Sequence, residues 1–326
     1  MRWGILGPGN IAVKFATTVN SMKEEGQQLV AVASRNGKRA QEFADRFQVP
    51  YCFDSYQEML DSDQIDAVYI ATPNNLHYEH TKMCLNAGKH VLCEKPFTTN
   101  ASQAEKLYAL AKQKDLFVME AFWIRFLPVL RKMQELINAG TIGKVQYVRS
   151  EYGFIAKGAR RERKFASELG GGALLDIGIY NLGFVQMVME KQPIDVRSQV
   201  HLNEYGTDDY SVIQLRFSED QMAVVTTSIG MNIERRATVV GTKGYLELAD
   251  FQKAEKMYLH TEDGREEEIE IPFEYSGFEY EIREVQDCVD RRQTSSEIYT
   301  PYMSVSTLKL LDQIRDQWNM RFSFEK

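Results

Sequence analysis

Several features that would point to a specialised class of protein are missing from this chain of 326 residues. No stretch reaches ~18 uninterrupted apolar residues, and the N-terminus lacks the charged and apolar regions of a signal peptide. Only four cysteines are present, and no two of them are spaced as Cys-x-x-Cys. These absences argue against a disulfide framework, a zinc ribbon and a membrane-spanning protein, so we expect a protein of the reducing cytoplasm.

An excess of positive charge is missing as well. The formal net charge is −7, with both signs mixed along the chain, which argues against nucleic acid as a partner. One basic cluster surrounds Glu162 and is interpreted as a local loop feature: Arg160, Arg161, Arg163 and Lys164. The chain shows no internal repeats, and 326 residues with 44% hydrophobic side chains are enough for two ordinary domains.

The N-terminal residues show the pattern of a nucleotide-binding unit. A short apolar strand at 2–6 runs into G-x-G-x-x-A, a helical pattern follows, and a second strand occupies 29–33. Such a loop lets the backbone approach a pyrophosphate, whose charge meets the N-terminus of the helix. A plain glycine-rich turn is the alternative. We expect these residues to contact the dinucleotide: Gly7, Pro8, Gly9, Asn10 and Ile11.

The end of the second strand indicates which dinucleotide binds. An acidic residue there would bind the 2′-hydroxyl of NAD, whereas an arginine accommodates the 2′-phosphate of NADP. This sequence has no acid at that point and offers Ser34, Arg35 and Arg39 instead. Guanidinium groups suit phosphate oxygens, so we predict NADP, with NAD as the alternative cofactor. A solvated basic loop is the other interpretation of these residues.

The next strand of the alternating pattern also ends in polar residues. It spans 65–71, and we expect the residues that follow to line the cofactor: Thr72, Pro73, Asn74 and His77. For His77, a surface or capping role in the first turn of a helix is an equally good interpretation.

A further strand, at 90–94, ends in Glu94, Lys95 and Pro96. Proline cannot extend a β ladder, so the chain must turn at Lys95. In an open α/β sheet the ligand crevice lies outside the carboxyl ends of the strands, which places Lys95 at its lip, where we expect it to contact a bound cofactor or substrate. A solvated lysine in an ordinary loop is the alternative. Glu94 is assigned a positioning role at the ribose of the cofactor.

The fold class that follows is α/β, with an N-terminal Rossmann domain of doubly wound parallel strands over 1–120. Residues 121–326 are predicted to form an α+β domain for substrate binding and oligomerisation. Between about 194 and 271, apolar residues alternate with period two, which indicates a large, mostly antiparallel open sheet. A helix at 173–189 is expected to cover one face, and a second copy of the chain the other, in a homodimer or higher homo-oligomer.

Three consecutive glycines at 170–172 precede that apolar helix. Asp176 and Tyr180 are four residues apart, which places a carboxylate and a phenol on one helix face. Both groups are unfavourable there unless they meet a polar partner or a pocket. The alternative is an aspartate favoured by the helix dipole and a half-buried core tyrosine.

Together these motifs resemble the glucose-fructose oxidoreductase/inositol dehydrogenase/MocA family over essentially the whole chain. The resemblance rests on four stretches: Gly7 to Ala12, Thr72-Pro73-Asn74 with His77, Glu94-Lys95-Pro96, and Gly170 to Tyr180. Residues 119–126 and 174–180 are further similar to the dimeric dihydrodiol dehydrogenase branch, which includes NADP-dependent pentose dehydrogenases. Tyr180 and Gly183 stand where many members carry histidine and aspartate, which argues against an inositol dehydrogenase.

The resemblance implies an oxidoreductase that moves a hydride between a nicotinamide and the carbinol or carbonyl carbon of an aldose or a vicinal diol, without a metal. It implies that Lys95 and Tyr180 meet at the nicotinamide, with Asp176 in the substrate pocket and Trp123 and Phe154 as its walls. Either Tyr180 or Lys95 then exchanges the hydroxyl proton. An NAD-dependent sugar dehydrogenase and a non-catalytic regulator that senses a dinucleotide or a sugar stay open as alternatives.

Overall fold

The structure is a computed structural model that describes residues 1–325, apart from the side chains of residues 159 and 160. It divides into two compact units. The first comprises Met1–Trp123 and Glu274–Val305, and the second comprises Ile124–Phe273 and the chain from Ser306 onward.

Strands and helices alternate in the first third of the chain, and strands dominate its later part. The strands are β1 (Arg2–Leu6), β2 (Gln28–Ala33), β3 (Tyr51–Phe53), β4 (Ala67–Ile70), β5 (His90–Glu94), β6 (Val118–Ala121), β7 (Val145–Gly153), β8 (Asp195–Leu202), β9 (Asp208–Arg216), β10 (Met222–Ser228), β11 (Arg236–Gly241), β12 (Gly244–Ala249), β13 (Lys256–Thr261) and β14 (Glu266–Glu270). The α-helices are α1 (Asn10–Ser21), α2 (Gly37–Phe47), α3 (Tyr56–Asp61), α4 (His77–Asn86), α5 (Ala101–Gln113), α6 (Pro128–Asn138), α7 (Ala159–Phe165), α8 (Ile179–Met189), α9 (Glu279–Asp290) and α10 (Pro301–Gln317).

The sheet of the first unit is parallel throughout, in the order β3-β2-β1-β4-β5-β6. Its strands are apolar on both faces, and β4 is buried along its whole length, as expected of a parallel sheet between helices. The strand order reverses between β1 and β4, which is where dinucleotides bind in sheets of this type. The strands pair so that these residues lie in one row: Leu6, Ala33, Ile70 and Cys93. The sheet confirms the predicted Rossmann fold.

A segment from late in the chain, residues 274–305, belongs to the first unit. It packs there because its polar side chains meet a buried carboxyl group at the end of the N-terminal sheet. Glu120 accepts hydrogen bonds from the hydroxyl groups of Tyr299, at 2.9 Å, and Ser304, at 2.5 Å. In the structure, the range 121–326 that the sequence assigns to the second domain is therefore interrupted by this segment.

The second unit is built on an eight-stranded sheet in the order β14-β13-β12-β11-β7-β10-β9-β8. β7 and β10 pair in parallel, and all other neighbours in it are antiparallel. α8 packs on β7 and β10 and covers one face. In β9, buried and exposed residues alternate, so the opposite face of the sheet is exposed in the single chain. This sheet confirms the prediction of a mostly antiparallel second domain.

The helical stretch Ser167–Met189 is long and apolar enough to cross a membrane by length and composition alone. However, 89% of its most apolar window is buried inside the structure. Such burial is typical of a core helix, and the stretch packs on the sheet of the second unit.

Candidate active site

The glycine loop lies against the end of β4. Gly7 has a φ of +87°, and a Cβ there would lie 3.1 Å from the carbonyl oxygen of Ala71 and 2.9 Å from Cγ2 of Thr72. A side chain at this position would therefore be strained and crowded at once. The Gly7 N–H donates to the carbonyl of Ala33 at 3.1 Å, so the loop is tied to β2 as well. The positive φ and the contacts with Ala71 and Thr72 therefore explain why glycine occupies this tight turn.

The N-terminus of α1 is suited to a pyrophosphate. Gly9 precedes the helix and supplies no side-chain cap, and no acidic residue stands in the first turn, where Asn10 and Ile11 lie. The first N–H groups of a helix lack partners within the helix, and the helix dipole favours an anion there. Pro8 and Gly9 complete the loop between strand and helix.

The basic residues after β2 lie at the same edge. Asn36 caps α2 by accepting a hydrogen bond from the Arg39 N–H at 3.2 Å, and Ser34 Oγ accepts one from the Asn36 N–H at 3.2 Å. The Arg39 guanidinium reaches the glycine loop, where Nη2 lies 3.5 Å from the carbonyl oxygen of Pro8. Arg35 is exposed. The folded chain thus brings Ser34 and Arg39 next to the predicted pyrophosphate site.

His77 is fully buried, which excludes the surface role considered from the sequence. Its Nδ1 lies 2.8 Å from the carbonyl oxygen of Pro96, and its Nε2 lies 2.8 Å from that of Thr72. Burial lowers the pKa of the imidazole, and the two carbonyl groups oppose that shift. The ring therefore ties the loop after β4 to the turn after β5. Thr72, Pro73 and Asn74 come one residue after the end of β4, and their contact with a cofactor stays a prediction.

His80 is a further residue of this edge, and no motif in the sequence selects it. Its Nδ1 is hydrogen-bonded to Thr72 Oγ1 at 2.9 Å, and its ring meets that of Tyr56 edge-on at 4.9 Å. Burial lowers the pKa of His80 to about 4, and the charge of Arg35 acts in the same direction. His80 is thus neutral at pH 7 and lies within electrostatic reach of Arg35.

The Glu94 carboxyl is hydrogen-bonded to a tyrosine whose ring stacks on a phenylalanine. The hydroxyl group of Tyr69 donates to its Oε1, and the ring of Tyr69 stacks on that of Phe15 with centroids 3.8 Å apart. The Lys95 N–H donates to Oε2 at 3.2 Å. Burial raises the pKa of the Glu94 carboxyl, whereas the hydrogen bond from Tyr69 and the charge of Lys95 oppose the rise. The carboxyl lies at the end of β5, and its positioning role at the ribose of a cofactor stays a prediction.

The turn at Lys95 is supported by a second buried carboxyl, Glu120. The Phe97 N–H donates to Glu120 Oε1 at 2.9 Å, and the peptide bond between Lys95 and Pro96 is cis. Burial raises the pKa of Glu120, and the nearby Lys95 ammonium opposes the rise. Lys95 therefore lies within electrostatic reach of two buried acids. Sequence reasoning missed Glu120, because its hydrogen-bond partner Tyr299 lies 179 residues away.

In the second unit, Asp176 lies in a π-helical segment, Leu174–Gly178, that continues into α8 with Tyr180. The sequence predicts an ordinary α-helix here. The structure instead has a π-helical turn, a feature that is frequently found at functional sites. Tyr180 is 7% exposed, so most of the phenol is packed in the core. Asp176 keeps more of its side chain in solvent, at 22%.

The three glycines allow the start of this helix to approach two other segments. A Cβ at Gly171 would lie 2.5 Å from the carbonyl oxygen of Lys164, and one at Gly172 would lie 2.3 Å from Oδ1 of Asp208. Asp208 Oδ2 accepts a hydrogen bond from the Leu174 N–H at 2.7 Å. Burial raises the pKa of Asp208 to about 7, against the opposing hydrogen bond from Leu174. The glycines therefore let the start of the helix pack closely against α7 and β9.

The basic cluster before the glycines is helical rather than a loop, and one of its members meets a predicted site residue. Lys164, in α7, forms an ion pair with Asp176, and its Nζ lies 5.3 Å from the ring centre of Phe154. The side chain of Arg160 lies outside the described residues. The interpretation of this cluster as a loop feature was thus wrong, because its residues lie in α7. Lys164 also supplies the polar partner that Asp176 needs on an apolar helix.

The predicted catalytic and substrate residues are distributed over both units. Lys95 and Trp123 belong to the first unit, whereas Phe154, Asp176 and Tyr180 belong to the second. The second unit brings Phe154 and Asp176 to one lysine. The meeting of Lys95 with Tyr180 at one nicotinamide stays a prediction.

Comparison with known proteins identifies the family. Residues 1–122 match the family model described as "Oxidoreductase family, NAD-binding Rossmann fold", and residues 130–247 match that of the GFO/IDH/MocA C-terminal domain. The chain belongs to the GFO/IDH/MocA oxidoreductase family. Trans-1,2-dihydrobenzene-1,2-diol dehydrogenase of Xenopus tropicalis is 33% identical over 327 residues, 97% of this chain and 96% of the relative. The protein of the same name from Mus musculus is 32% identical over 338 residues, 100% of this chain and 99% of the relative.

Solved structures of this family share the fold. KijD10, a 3-ketoreductase from Actinomadura kijaniata crystallised with NADP and TDP-benzene, matches with a TM-score of 0.85 and 25% identity over 97% of each chain. Aldose-aldose oxidoreductase from Caulobacter crescentus matches with a TM-score of 0.87 and 24% identity, over 97% of this chain and 96% of the other. The chain is therefore an NAD(P)-dependent oxidoreductase, and the non-catalytic regulator considered from the sequence is disfavoured.

The close approach at Gly172 predicts an unusually large loss of stability on substitution. Gly172→Ala adds a Cβ at a φ of +113° and 2.3 Å from Asp208 Oδ1, so we expect the free energy of unfolding to fall by roughly 3 kcal/mol or more. The matched control is Gly206→Ala, which also has a positive φ but whose Cβ would meet no described atom within 4 Å. There we expect a loss of roughly 1–2 kcal/mol, from backbone strain alone. Urea unfolding of both variants measures this difference, and equal losses would contradict the role given to Asp208.

Proposed function

We propose that this protein is an NADP-dependent dehydrogenase or reductase that moves a hydride between the nicotinamide and a carbinol or carbonyl carbon of a vicinal diol or an aldose. One arrangement carries the proposal. The glycine loop and Lys95 follow strands of one parallel sheet and share its edge, where such sheets bind dinucleotides. Identity of 33% with a diol dehydrogenase along nearly the whole chain supports the substrate class.

The residues at that edge fit a dinucleotide. The crowded turn at Gly7 and the uncapped start of α1 suit the pyrophosphate. Residues 72–74 would line the cofactor, and the buried His77 would hold their loop against the turn after β5 instead of contacting the cofactor itself. The Glu94 carboxyl would accept hydrogen bonds from ribose hydroxyl groups. The nicotinamide, when bound, supplies or accepts the hydride.

The choice of NADP rests on the loop after β2. No acidic residue ends that strand to pair with a 2′-hydroxyl. Arg35 and Arg39 follow the strand, and the Arg39 guanidinium lies 3.5 Å from the carbonyl oxygen of Pro8 in the glycine loop. Guanidinium groups form paired, charge-assisted hydrogen bonds with phosphate oxygens. The structure of KijD10 in complex with NADP supports the same choice.

Substitution of these arginines tests the cofactor preference. We expect Arg35→Ala and Arg39→Ala each to raise the Kd for NADP⁺ by roughly 10-fold or more, because each removes a charge-assisted contact worth roughly 1.5–3 kcal/mol. The Kd for NAD⁺ should stay nearly unchanged. Calorimetric titration of both nucleotides measures this, with the exposed neighbour Lys38→Ala as a matched control. Equal weakening of NAD⁺ and NADP⁺ binding would show that the arginines do not read the 2′-phosphate.

In the proposed chemistry, Tyr180 transfers the proton and Lys95 stabilises the developing negative charge. As the hydride leaves the carbinol carbon, the hydroxyl proton passes to Tyr180 in its phenolate form. The Lys95 ammonium favours that form and stabilises the negative charge that develops on the substrate oxygen. Lys95 itself is the alternative acid and base. Asp176 orients the substrate by accepting a hydrogen bond from a hydroxyl group, and Trp123 and Phe154 form apolar walls.

Removal of either group tests this division. We expect Lys95→Ala and Tyr180→Phe each to lower kcat by roughly 10²-fold or more, the usual contribution of a positioned acid or base. Binding of NADP(H) should remain nearly intact, since both changes act on the reacting oxygen. Steady-state kinetics and nucleotide titrations measure the two effects, with the exposed Tyr302→Phe as control. Turnover close to wild type in both variants would refute the mechanism.

We also propose that the protein is a homodimer through the exposed face of the second sheet. The strand register places four side chains in one row across β10, β7, β11 and β12: Met222, Tyr147, Val240 and Tyr245. Met222 and Tyr245 are among the exposed large apolar residues of the chain. A row of this kind on an open sheet favours burial against a second copy by two-fold symmetry.

A charge at the Met222 end of that row tests the dimer. We expect the wild type to have the mass of two chains at micromolar concentration, and Met222→Lys to shift it towards one chain because a buried ammonium is unfavourable. Ile194→Lys, at a more exposed apolar residue before β8, is the control. Sedimentation velocity measures the masses. A monomeric wild type, or a dimer that Met222→Lys leaves intact, would overturn the assignment of this face.

A further inference from the structure

We infer that Lys164 is a positioning residue of the substrate site, whose ammonium holds the Asp176 carboxylate as an oriented acceptor for a substrate hydroxyl group. The inference deepens the proposed function and rests on it, because that proposal places Asp176 in the substrate pocket. Neither the family motifs nor the sequence pattern selects Lys164, which stands in a basic cluster 12 residues before Asp176.

The Lys164 side chain is only 10% exposed, whereas lysines are rarely buried unless they are paired. Its ammonium contacts Oδ2 of Asp176, and it lies over the face of Phe154 with 5.3 Å between Nζ and the ring centre. Arg161, in the same cluster, instead has 44% of its side chain exposed and pairs with Glu204 at 3.5 Å. Lys164 is thus buried in the second unit, whereas Arg161 of the same cluster is exposed to solvent.

Hydrogen bonds from two of the glycines fix the backbone around Lys164. The Gly172 N–H donates to the carbonyl of Lys164 at 2.8 Å, and the Gly171 N–H donates to that of Ala166 at 3.0 Å. A Cβ at Gly171 would lie 2.5 Å from the Lys164 carbonyl oxygen, so only glycine allows this approach. The end of α7 and the start of the helix that carries Asp176 are therefore joined by hydrogen bonds.

The start of β9 fixes the same two segments from the other side. Thr207 Oγ1 donates to the carbonyl of Phe165 at 2.9 Å, at the end of α7. Its neighbour Asp208 accepts the Leu174 N–H at 2.7 Å, at the start of the π-helical segment. Two adjacent residues thus set the separation that the pair of Lys164 and Asp176 spans, and the ion pair belongs to a rigid frame.

The chemical consequence concerns which substrates Asp176 favours. A nearby cation stabilises the ionised carboxylate, which accepts hydrogen bonds and cannot donate them. A fixed acceptor of this kind favours a substrate with a hydroxyl donor beside the reacting carbinol, as in a vicinal diol or an aldose, over a simple alcohol. Lys164 therefore acts on substrate recognition through Asp176.

Kinetics of substituted enzymes test the inference with the vicinal diol or aldose that the wild type oxidises fastest. We expect Lys164→Met to raise KM by roughly 10-fold and to change kcat by less than roughly 3-fold, because the hydroxyl contact exists before and during the reaction. Lys164→Arg should bring KM back to within roughly 3-fold of wild type, since it restores the cation. Lys157→Met, at an exposed lysine before α7, should leave both constants unchanged.

A double-mutant cycle separates an effect through Asp176 from an independent one. We expect Asp176→Asn to raise KM as Lys164→Met does, and the double variant to be no worse than Asp176→Asn alone. Lys164→Gln, a gentler removal of the charge, is interpreted in the same way if Lys164→Met does not fold. An unchanged KM in the lysine variants, or fully additive losses in the cycle, would overturn the inference. A wild type that oxidises no diol or aldose would instead refute the proposed function.

Discussion

The parallel pairing of β1 with β2 and β4 is the constraint on which the first unit depends. It places the loops after three strands at one edge of the sheet, although these loops are far apart in the sequence. The glycine loop, the arginines after β2 and the residues after β4 therefore lie at one edge, and the parallel pairing of β4 with β5 brings the turn at Lys95 to the same edge. Hydrogen bonds from His77 to the neighbouring loops and buried carboxyls at Glu94 and Glu120 then hold that edge in place.

In the second unit, the candidate site residues are brought together by a close approach between backbone segments. Gly171 and Gly172 bring the start of a core helix against α7 and β9, and this contact carries Lys164 to Asp176. The ion pair and the face of Phe154 form one cluster in a domain whose remaining inward side chains are largely apolar. The glycines are thus explained by what their backbone touches, and the substrate proposal follows from the side chains that this contact brings together.

Local patterns were sufficient to predict the Rossmann sheet and to place each polar motif after the strand that positions it, whereas the contacts of these residues with a cofactor stay predictions. The antiparallel sheet was predictable for the same reason, from the alternation along β9 and β10. Partners from distant segments were not predictable. Glu120 meets Tyr299 from 179 residues away, and nothing in the sequence pairs them or shows that residues 274–305 return to the first unit. In the sequence, Lys164 is only one of four basic residues in a cluster. Which of the four pairs with Asp176 depends on how α7 packs, and local sequence does not show this.

The most direct test of the central claim is isotope transfer to the cofactor. Purified protein is incubated with NADP⁺ and trans-1,2-diols or aldoses that carry deuterium on the carbinol carbons, and the nucleotide is then examined by mass spectrometry. A hydride transfer at a carbinol carbon predicts NADPH one mass unit heavier than that formed from unlabelled substrate, and no such product from the Lys95→Ala variant under the same conditions. Absence of reduced nucleotide with every substrate, or reduced nucleotide without the label, would contradict the account.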